Sequence, residues 1–279
     1  MIRSASLLAL LLLPACSKDT TTAETKSAPR PTVAPVASTS AAASASVASD
    51  AAPPKPAPAV TDTFTTTAGD LSLTPIHHAT MLLRVAGKAI YVDPVDEGAS
   101  YEGLPKADFV FVTDIHGDHM DPAGLARVKK DDTVIVAPPA VDEKMKASVV
   151  MKNGETHDFT RFKVEAVAMY NLSRGPTPGK LFHDKGRGNG YVFTFGKTRV
   201  YVSGDTECTP EMRALKNIDV AFVCMNLPYT MPPAEAASCV NTFKPKVLFP
   251  FHHKGSNLDD LAAAVKPENN VEIRRRDWY

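Results

Sequence analysis

Asp108-Phe109-Val110-Phe111-Val112 runs directly into Thr113-Asp114-Ile115-His116-Gly117-Asp118-His119-Met120-Asp121, and the reading of the whole chain turns on this stretch. The first five residues form a β-branched and aromatic run suited to a buried strand, and Asp121-Pro122 then opens a helical pattern. The motif therefore occupies a strand-to-helix turn. On an extended backbone, side chains two apart point the same way, so Asp114 and His116 leave the strand end on one side. The turn brings Asp118 and His119 round beside them. Imidazole nitrogens and carboxylate oxygens are the donors that zinc and neighbouring divalent ions accept. A solitary His-x-Asp-His match has low specificity, because Asp, His and Gly are common turn residues.

Weight comes from two places downstream. Ser203-Gly204-Asp205-Thr206 follows the apolar run Arg199–Val202, and Pro250-Phe251-His252 follows Val247–Phe249. Each sets a carboxylate or imidazole where a strand ends, the position at which open α/β layers place their sites.

These residues resemble the metallo-β-lactamase fold superfamily of hydrolases. Its Thr-His-x-His-x-Asp-His motif reads Thr113-Asp114-Ile115-His116-Gly117-Asp118-His119 here, with Asp114 in place of the first His. The resemblance implies that Asp205 of Gly204-Asp205-Thr206 bridges two metals and that His252 is the last ligand. His77-His78-Ala79-Thr80 and Val92-Asp93-Pro94 are similar to early motifs of the branch containing L-ascorbate-6-phosphate lactonase and N-acyl phosphatidylethanolamine phospholipase D. The likeness runs in order from Leu71 to Gly255. It implies a four-layer αββα sandwich of two mixed β-sheets flanked by helices, and it says little about any one substrate.

The third ligand departs from the pattern. In the resembled branch a His closes the strand that here reads Val164–Tyr170, yet Asn171 follows. His183, in the loop before the Tyr191 strand, is favoured for the vacated place, since the neutral amide of Asn171 is a poor ligand. The expected metal set is thus Asp114, His116, Asp118, His119, His183, Asp205 and His252, holding two divalent ions: zinc, with manganese or iron as alternatives. Two such ions with Asp118 and Asp205 ionised carry a net charge of about +2, and Asp114 lowers it to about +1. In the competing arrangement the shorter Asp114 misses the metal, orienting an imidazole instead, and one ion sits at Asp118, His119, Asp205 and His252.

Asp118 and His78 are the expected catalytic residues, the first orienting a water and the second starting a strand near the metal rim. Alternation turns His77 to the opposite face, and His253 away from the site. Asp93 either belongs to the site or forms a turn before Pro94. Tyr229 lines the cleft or packs in the core, and Trp278-Tyr279 reads as a packed end.

At the start, Arg3, the apolar run Leu7–Leu13 and Leu13-Pro14-Ala15-Cys16 have the form of a signal peptide over residues 1–15, too short an apolar run to span a bilayer. A cysteine after a small residue resembles a bacterial lipobox, which implies cleavage before Cys16 and lipid attachment there. Residues 16–61, rich in Ala, Ser, Thr and Pro, bury too little surface to offset ordering entropy and read as a disordered tether. Residues 62–279 are long enough for one hydrolase domain with its own core. The expected location is the bacterial cell envelope, lipid-anchored at the outer membrane.

Across the chain 31 basic residues meet 31 acidic ones, so no bulk charge argues for nucleic acid as a partner. Cys208, Cys224 and Cys239, odd in number and irregular in spacing, do not suggest a disulfide framework. Cys224 reads as core.

Strands are expected near 63–67, 70–76, 79–85, 88–92, 108–113, 133–137, 149–152, 157–169, 190–195, 198–203, 219–225, 246–250 and 271–276. Helices are expected near 121–130, 138–147, 209–216, 232–243 and 257–266. The function these features predict is metal-dependent hydrolysis of a small ester, lactone, amide or phosphodiester. The alternative is an envelope-tethered metal- or ligand-binding protein of the same fold with little turnover.

Overall fold

The computed structural model describes residues 60–279. The expected signal peptide, Cys16 and all but the end of the expected tether lie outside the described residues.

The chain builds two seven-stranded sheets in succession. In the first, β1 (Asp62–Thr66), β2 (Gly69–His77), β3 (Thr80–Val85) and β4 (Lys88–Val92) are antiparallel neighbours. β5 (Phe109–Phe111), β6 (Val134–Ala137) and β7 (Val149–Val150) then add in parallel. The second sheet repeats the plan. β8 (Thr156–Asp158), β9 (Lys163–Met169), β10 (Gly188–Phe195) and β11 (Thr198–Val202) are antiparallel, and β12 (Val220–Cys224), β13 (Val247–Phe251) and β14 (Glu272–Ile273) continue in parallel.

Parallel neighbours need crossovers, and these carry α1 (Pro122–Val128), α2 (Pro139–Asp142), α3 (Pro210–Arg213), α4 (Pro233–Phe243) and α5 (Leu258–Ala264). The result is the two-sheet sandwich with flanking helices that the motif order implies.

The period-two rule sorts the strand residues between two cores. Met81, Leu83, Ile90, Val92 and Phe111 enter the cluster between the sheets, together with Tyr191, Phe193, Val202 and Phe222. Their neighbours Leu82, Tyr91, Val110 and Val112 face the other way, against Leu125 and Val128 of α1. Because β3, β4 and β5 bury both faces, a one-residue slip would exchange the two sets, and register is strongly specified there.

Four expectations are corrected. The strand expected over 157–169 is a hairpin, β8 and β9, closed where the Asp158 carboxylate accepts the N–H of Thr160 at 3.1 Å and Thr160 takes a φ of 64°. The helix expected over 138–147 stops after one turn, since the Asp142 carboxylate accepts the N–H of Ala147 and turns the chain towards β7. The last strand keeps only Glu272–Ile273. Cys208 and Cys239 form a disulfide that ties the start of α3 to α4, a pairing that spacing could not reveal because only folding brings residues 31 apart together. Cys224 is a free, buried core thiol, as expected.

Candidate metal centre

Most candidate side chains sit at the end of a strand or in the turn just beyond it, and His183 lies in the loop between β9 and β10. Val112–His119 follows β5, Asp205 follows β11, His252 follows β13, Asn171 follows β9, and Arg187 immediately precedes β10. Three non-glycine residues here hold left-handed backbone: His78 at φ 53°, Asp93 at 45° and His252 at 44°. Such conformations cost on the order of 1–3 kcal/mol each and persist where the surroundings over-determine them. Gly204 also has a positive φ, and a Cβ there would lie 2.7 Å from the Met169 sulfur, so the turn that presents Asp205 requires glycine.

Asp205 is the hub. Its Oδ2 lies 3.3 Å from His119 Nε2 and 3.3 Å from His183 Nε2, and its Oδ1 lies 3.4 Å from His252 Nδ1. Asp118 caps this group with Oδ2, 3.3 Å from His252 Nε2 and 3.2 Å from His78 Nε2. Burial pushes the Asp205 carboxyl up, but His252, His119 and His183 outweigh it and hold the group well below the usual carboxylate range. Burial likewise disfavours a charged His119, yet Asp205 and Asp93 raise its imidazole well above the ordinary value. The pocket draws positive charge into itself.

Four buried atoms converge here without a hydrogen-bond partner: His119 Nε2, His183 Nε2, Asp205 Oδ1 and His252 Nδ1. Buried polar atoms are ordinarily satisfied, so a cluster of orphaned imidazole and carboxylate donors fits a divalent cation. Among the described residues, donor atoms close enough to share an ion fall into three trios: His119, Asp205 and His252; Asp114, His116 and His183; and His78, Asp118 and His252.

Outer partners aim these donors. Asp93 accepts the N–H and Oγ1–H of Thr113 at 2.7 and 2.6 Å, and its Oδ2 lies 2.8 Å from His119 Nδ1, which leaves Nε2 to face Asp205. Asn171 plays the same part for His183. Its Nδ2 donates to Glu207 Oε1 and to the Tyr229 carbonyl, which fixes the amide orientation, and its Oδ1 accepts from both Nδ1 and the backbone N–H of His183. His183 therefore turns its free nitrogen inward, and Asn171 is its support.

His78 reaches the rim through Asp118 and through a 3.2 Å contact with the Tyr279 hydroxyl. His77 packs over Gly98 instead, where an added Cβ would lie 2.6 Å from its ring. Trp278 is buried with its indole N–H on the Pro250 carbonyl, and Tyr279 accepts the backbone N–H groups of His253 and Lys254. Tyr229 is exposed and meets Phe182 edge-on at 5.0 Å, so it belongs to the cleft rim.

Asp114 is fully buried, and a side chain that motif reasoning passed over holds it. Arg187 donates from Nε to Asp114 Oδ1 at 2.9 Å and from Nη2 to Oδ2 at 2.8 Å, while its Nη1 donates to the Phe182 carbonyl at 2.8 Å. The signal available in the sequence was a lone arginine between glycines, Lys185-Gly186-Arg187-Gly188, at a strand entry.

Two stacked mixed sheets with His and Asp residues gathered at their strand ends define a metal-dependent hydrolase of the metallo-β-lactamase fold. The chain belongs to the beta-lactamase superfamily, whose domain profile matches residues 72–252. A UPF0173 metal-dependent hydrolase of Geobacillus sp. (strain WCH70) is 29% identical over 221 residues, 70% of this chain and 97% of the relative. Among solved structures, a candidate metal-dependent hydrolase from Parabacteroides distasonis ATCC 8503 is 40% identical with a TM-score of 0.74, covering 79% of this chain and 100% of that one. A metallo hydrolase from Ignicoccus hospitalis KIN4/I, 19% identical with a TM-score of 0.60 over 74% of this chain and 94% of its own, shares the fold. These comparisons support the superfamily and leave the narrower lactonase and phospholipase branch as a resemblance.

Proposed function

We propose that the chain hydrolyses a small ester, lactone, amide or phosphodiester bearing an apolar group, at a centre built on His119, Asp205 and His252 with Asp118 at its mouth. The observation that carries this is the convergence of the four orphaned donor atoms. Imidazole nitrogens in this number favour zinc, and the carboxylates admit manganese or iron. When bound, a divalent ion there supplies Lewis acidity and acidifies water near neutral pH.

The remaining roles fall to the chain's own groups. Burial opposes ionisation of Asp118, but hydrogen bonds from His252 and His78 outweigh it and hold the carboxyl far below its usual range. Asp118 is thus a carboxylate at neutral pH, half exposed, placed to accept a hydrogen bond from a water and orient it. His78, held between Asp118 and Tyr279, fixes the direction of that carboxylate. A cavity of about 350 Å³ lined by Ser173, Arg174, Phe182, Leu227 and Pro228 begins one residue from His183. With Phe182, Leu227 and Pro228 in its lining and Tyr229 edge-on to Phe182, it suits an apolar acyl or aryl group.

An exported location follows the same proposal. The Cys208–Cys239 disulfide supports it, since such bonds persist in oxidising compartments, and Cys16 is the proposed lipid anchor.

The test uses the purified full chain, supplied with zinc or manganese and presented with esters, lactones, amides and phosphodiesters with and without apolar substituents. Turnover that a chelator removes and metal restores is expected. A chain that takes up no metal and turns over nothing on the panel overturns the proposal.

A further inference from the structure

The three donor trios are not equivalent. In His119, Asp205 and His252 every member carries an orphaned buried atom. In Asp114, His116 and His183 only His183 does. Both Asp114 oxygens are occupied by the Arg187 fork at 2.9 and 2.8 Å. His116 has Nδ1 3.0 Å from Asp114 Oδ2 and Nε2 3.5 Å from Arg187 Nη2.

A guanidinium is not deprotonated in proteins, and a bidentate fork on a fully buried carboxylate is a strong, geometrically specific pair. The Phe182 carbonyl fixes the same guanidinium from behind. A divalent ion entering this trio would have to strip Asp114 from Arg187, leave a fixed positive charge beside itself and leave the partly buried guanidinium without its partner.

We infer that Arg187 is a built-in cation standing in the second metal position, so that the centre takes one divalent ion per chain, at His119, Asp205 and His252, with Asp114 serving as the anchor of Arg187. This rests on the metal-dependent hydrolase reading above. It explains the substitution in the motif: an imidazole at position 114 would offer no carboxylate to hold a guanidinium, whereas Asp114 offers both oxygens. It also removes Asp114 and His116 from the expected ligand set.

The experiment counts ions. The full chain and its variants are loaded with excess Mn(II) or Zn(II), freed of unbound metal by gel filtration, and analysed by elemental mass spectrometry. The manganese forms are also examined by electron paramagnetic resonance, where an isolated ion and a spin-coupled pair differ in signature. One ion per chain with an uncoupled spectrum is expected, unchanged in His116→Ala, whose side chain is partly exposed and leaves the core intact. Arg187→Gln frees the Asp114 carboxylate and should raise the count to two.

Two coupled ions in the unaltered chain, falling to one in His116→Ala, overturn the inference and leave the hydrolase reading standing. An Arg187→Gln chain that folds and still binds a single ion shows that Arg187 is not what excludes the second, and overturns it as well. Absence of any bound ion defeats the hydrolase reading itself, and the inference with it.

Discussion

Asn171 Oδ1 lies 2.8 Å from the backbone nitrogen of His183 and 2.7 Å from its Nδ1, so one amide oxygen positions both the chain and the ring of a residue 12 positions away. The same amide is anchored through Nδ2 to Glu207 and to the Tyr229 carbonyl. Glu207, Asn171 and His183 therefore form a relay from the Asp205 turn back to the Asp205 carboxylate.

Asn171→Ala should consequently destabilise the fold. It leaves the His183 N–H groups and part of Glu207 unsatisfied in a buried place, at about 1–3 kcal/mol per group. A fall in melting temperature of roughly 5–10 °C is expected for a domain of this size. Thermal denaturation checks it, and His183→Ala, which leaves the His119, Asp205 and His252 trio intact, should keep the single ion bound. Loss of metal in His183→Ala would make His183 a ligand of that ion.

Asp93 offers a cleaner substitution. Its φ of 45° is one that Asn adopts readily, so Asp93→Asn alters the charge and one acceptor with little backbone disturbance. The carboxylate behind His119 is lost, and the imidazole becomes a weaker and less well-aimed donor. Loss of such a partner typically lowers metal affinity by about 10–100-fold. Competition against a chelator of known affinity measures this, and an unchanged affinity would reduce Asp93 to a turn residue.

How much of this was legible beforehand depended on whether the signal was local. The strand-end motifs at 113–119, 204–206 and 252 gave the fold and most of the centre, because strand, turn and ligand lie within a few residues of each other. That His183 rather than Asn171 faces inward followed from the position the resemblance leaves vacant together with ligand chemistry, since Asn171 is a neutral amide.

Arg187 and the Cys208–Cys239 disulfide were not recoverable. Each acts on a partner brought near only by sheet stacking or helix packing, 73 residues away for Asp114 and 31 for the cysteines. Asp93 was visible as a residue but ambiguous in role, because an Asp before Pro is as good a turn former as a second-layer partner. Helix lengths failed where a local side-chain-to-backbone bond outside the periodic pattern, such as the Ala147 N–H to the Asp142 carboxylate, turned the chain.

The Asp108 carboxylate lends itself to a pH experiment well away from the centre. Burial raises its pKa, but the Ala89 N–H, Lys88 and Lys130 outweigh that and leave it below the ordinary value. A depressed folded pKa stabilises the native state above the unfolded value of about 3.9, and that contribution fades as pH falls through the folded value. Asp108→Asn should therefore melt a few degrees below the unaltered chain at pH 7, with the difference closing as the pH drops below about 4. A gap that stays constant from pH 7 to pH 3 would mean that the hydrogen bond, not the charge, carries the effect.

The disulfide ties the proposed location to a measurable stability. Cross-linking residues 31 apart removes loop entropy from the unfolded chain, worth about 3–4 kcal/mol in the loop-closure treatment. Cys208→Ala with Cys239→Ala should lower the melting temperature by roughly 10 °C, leaving the metal donors, none of which is a cysteine, in place. If the chain is exported as proposed, protein recovered from the cell envelope should carry the bond, seen as a mass two hydrogens lighter than the reduced form. Cys16→Ser should shift the chain from the membrane fraction to the soluble fraction with that bond and the melting temperature unchanged, because the substitution touches neither cysteine of the bond. A reduced Cys208–Cys239 pair in freshly isolated protein, together with unaltered partitioning of Cys16→Ser, would overturn the exported, lipid-anchored location while leaving the chemistry of the centre untouched.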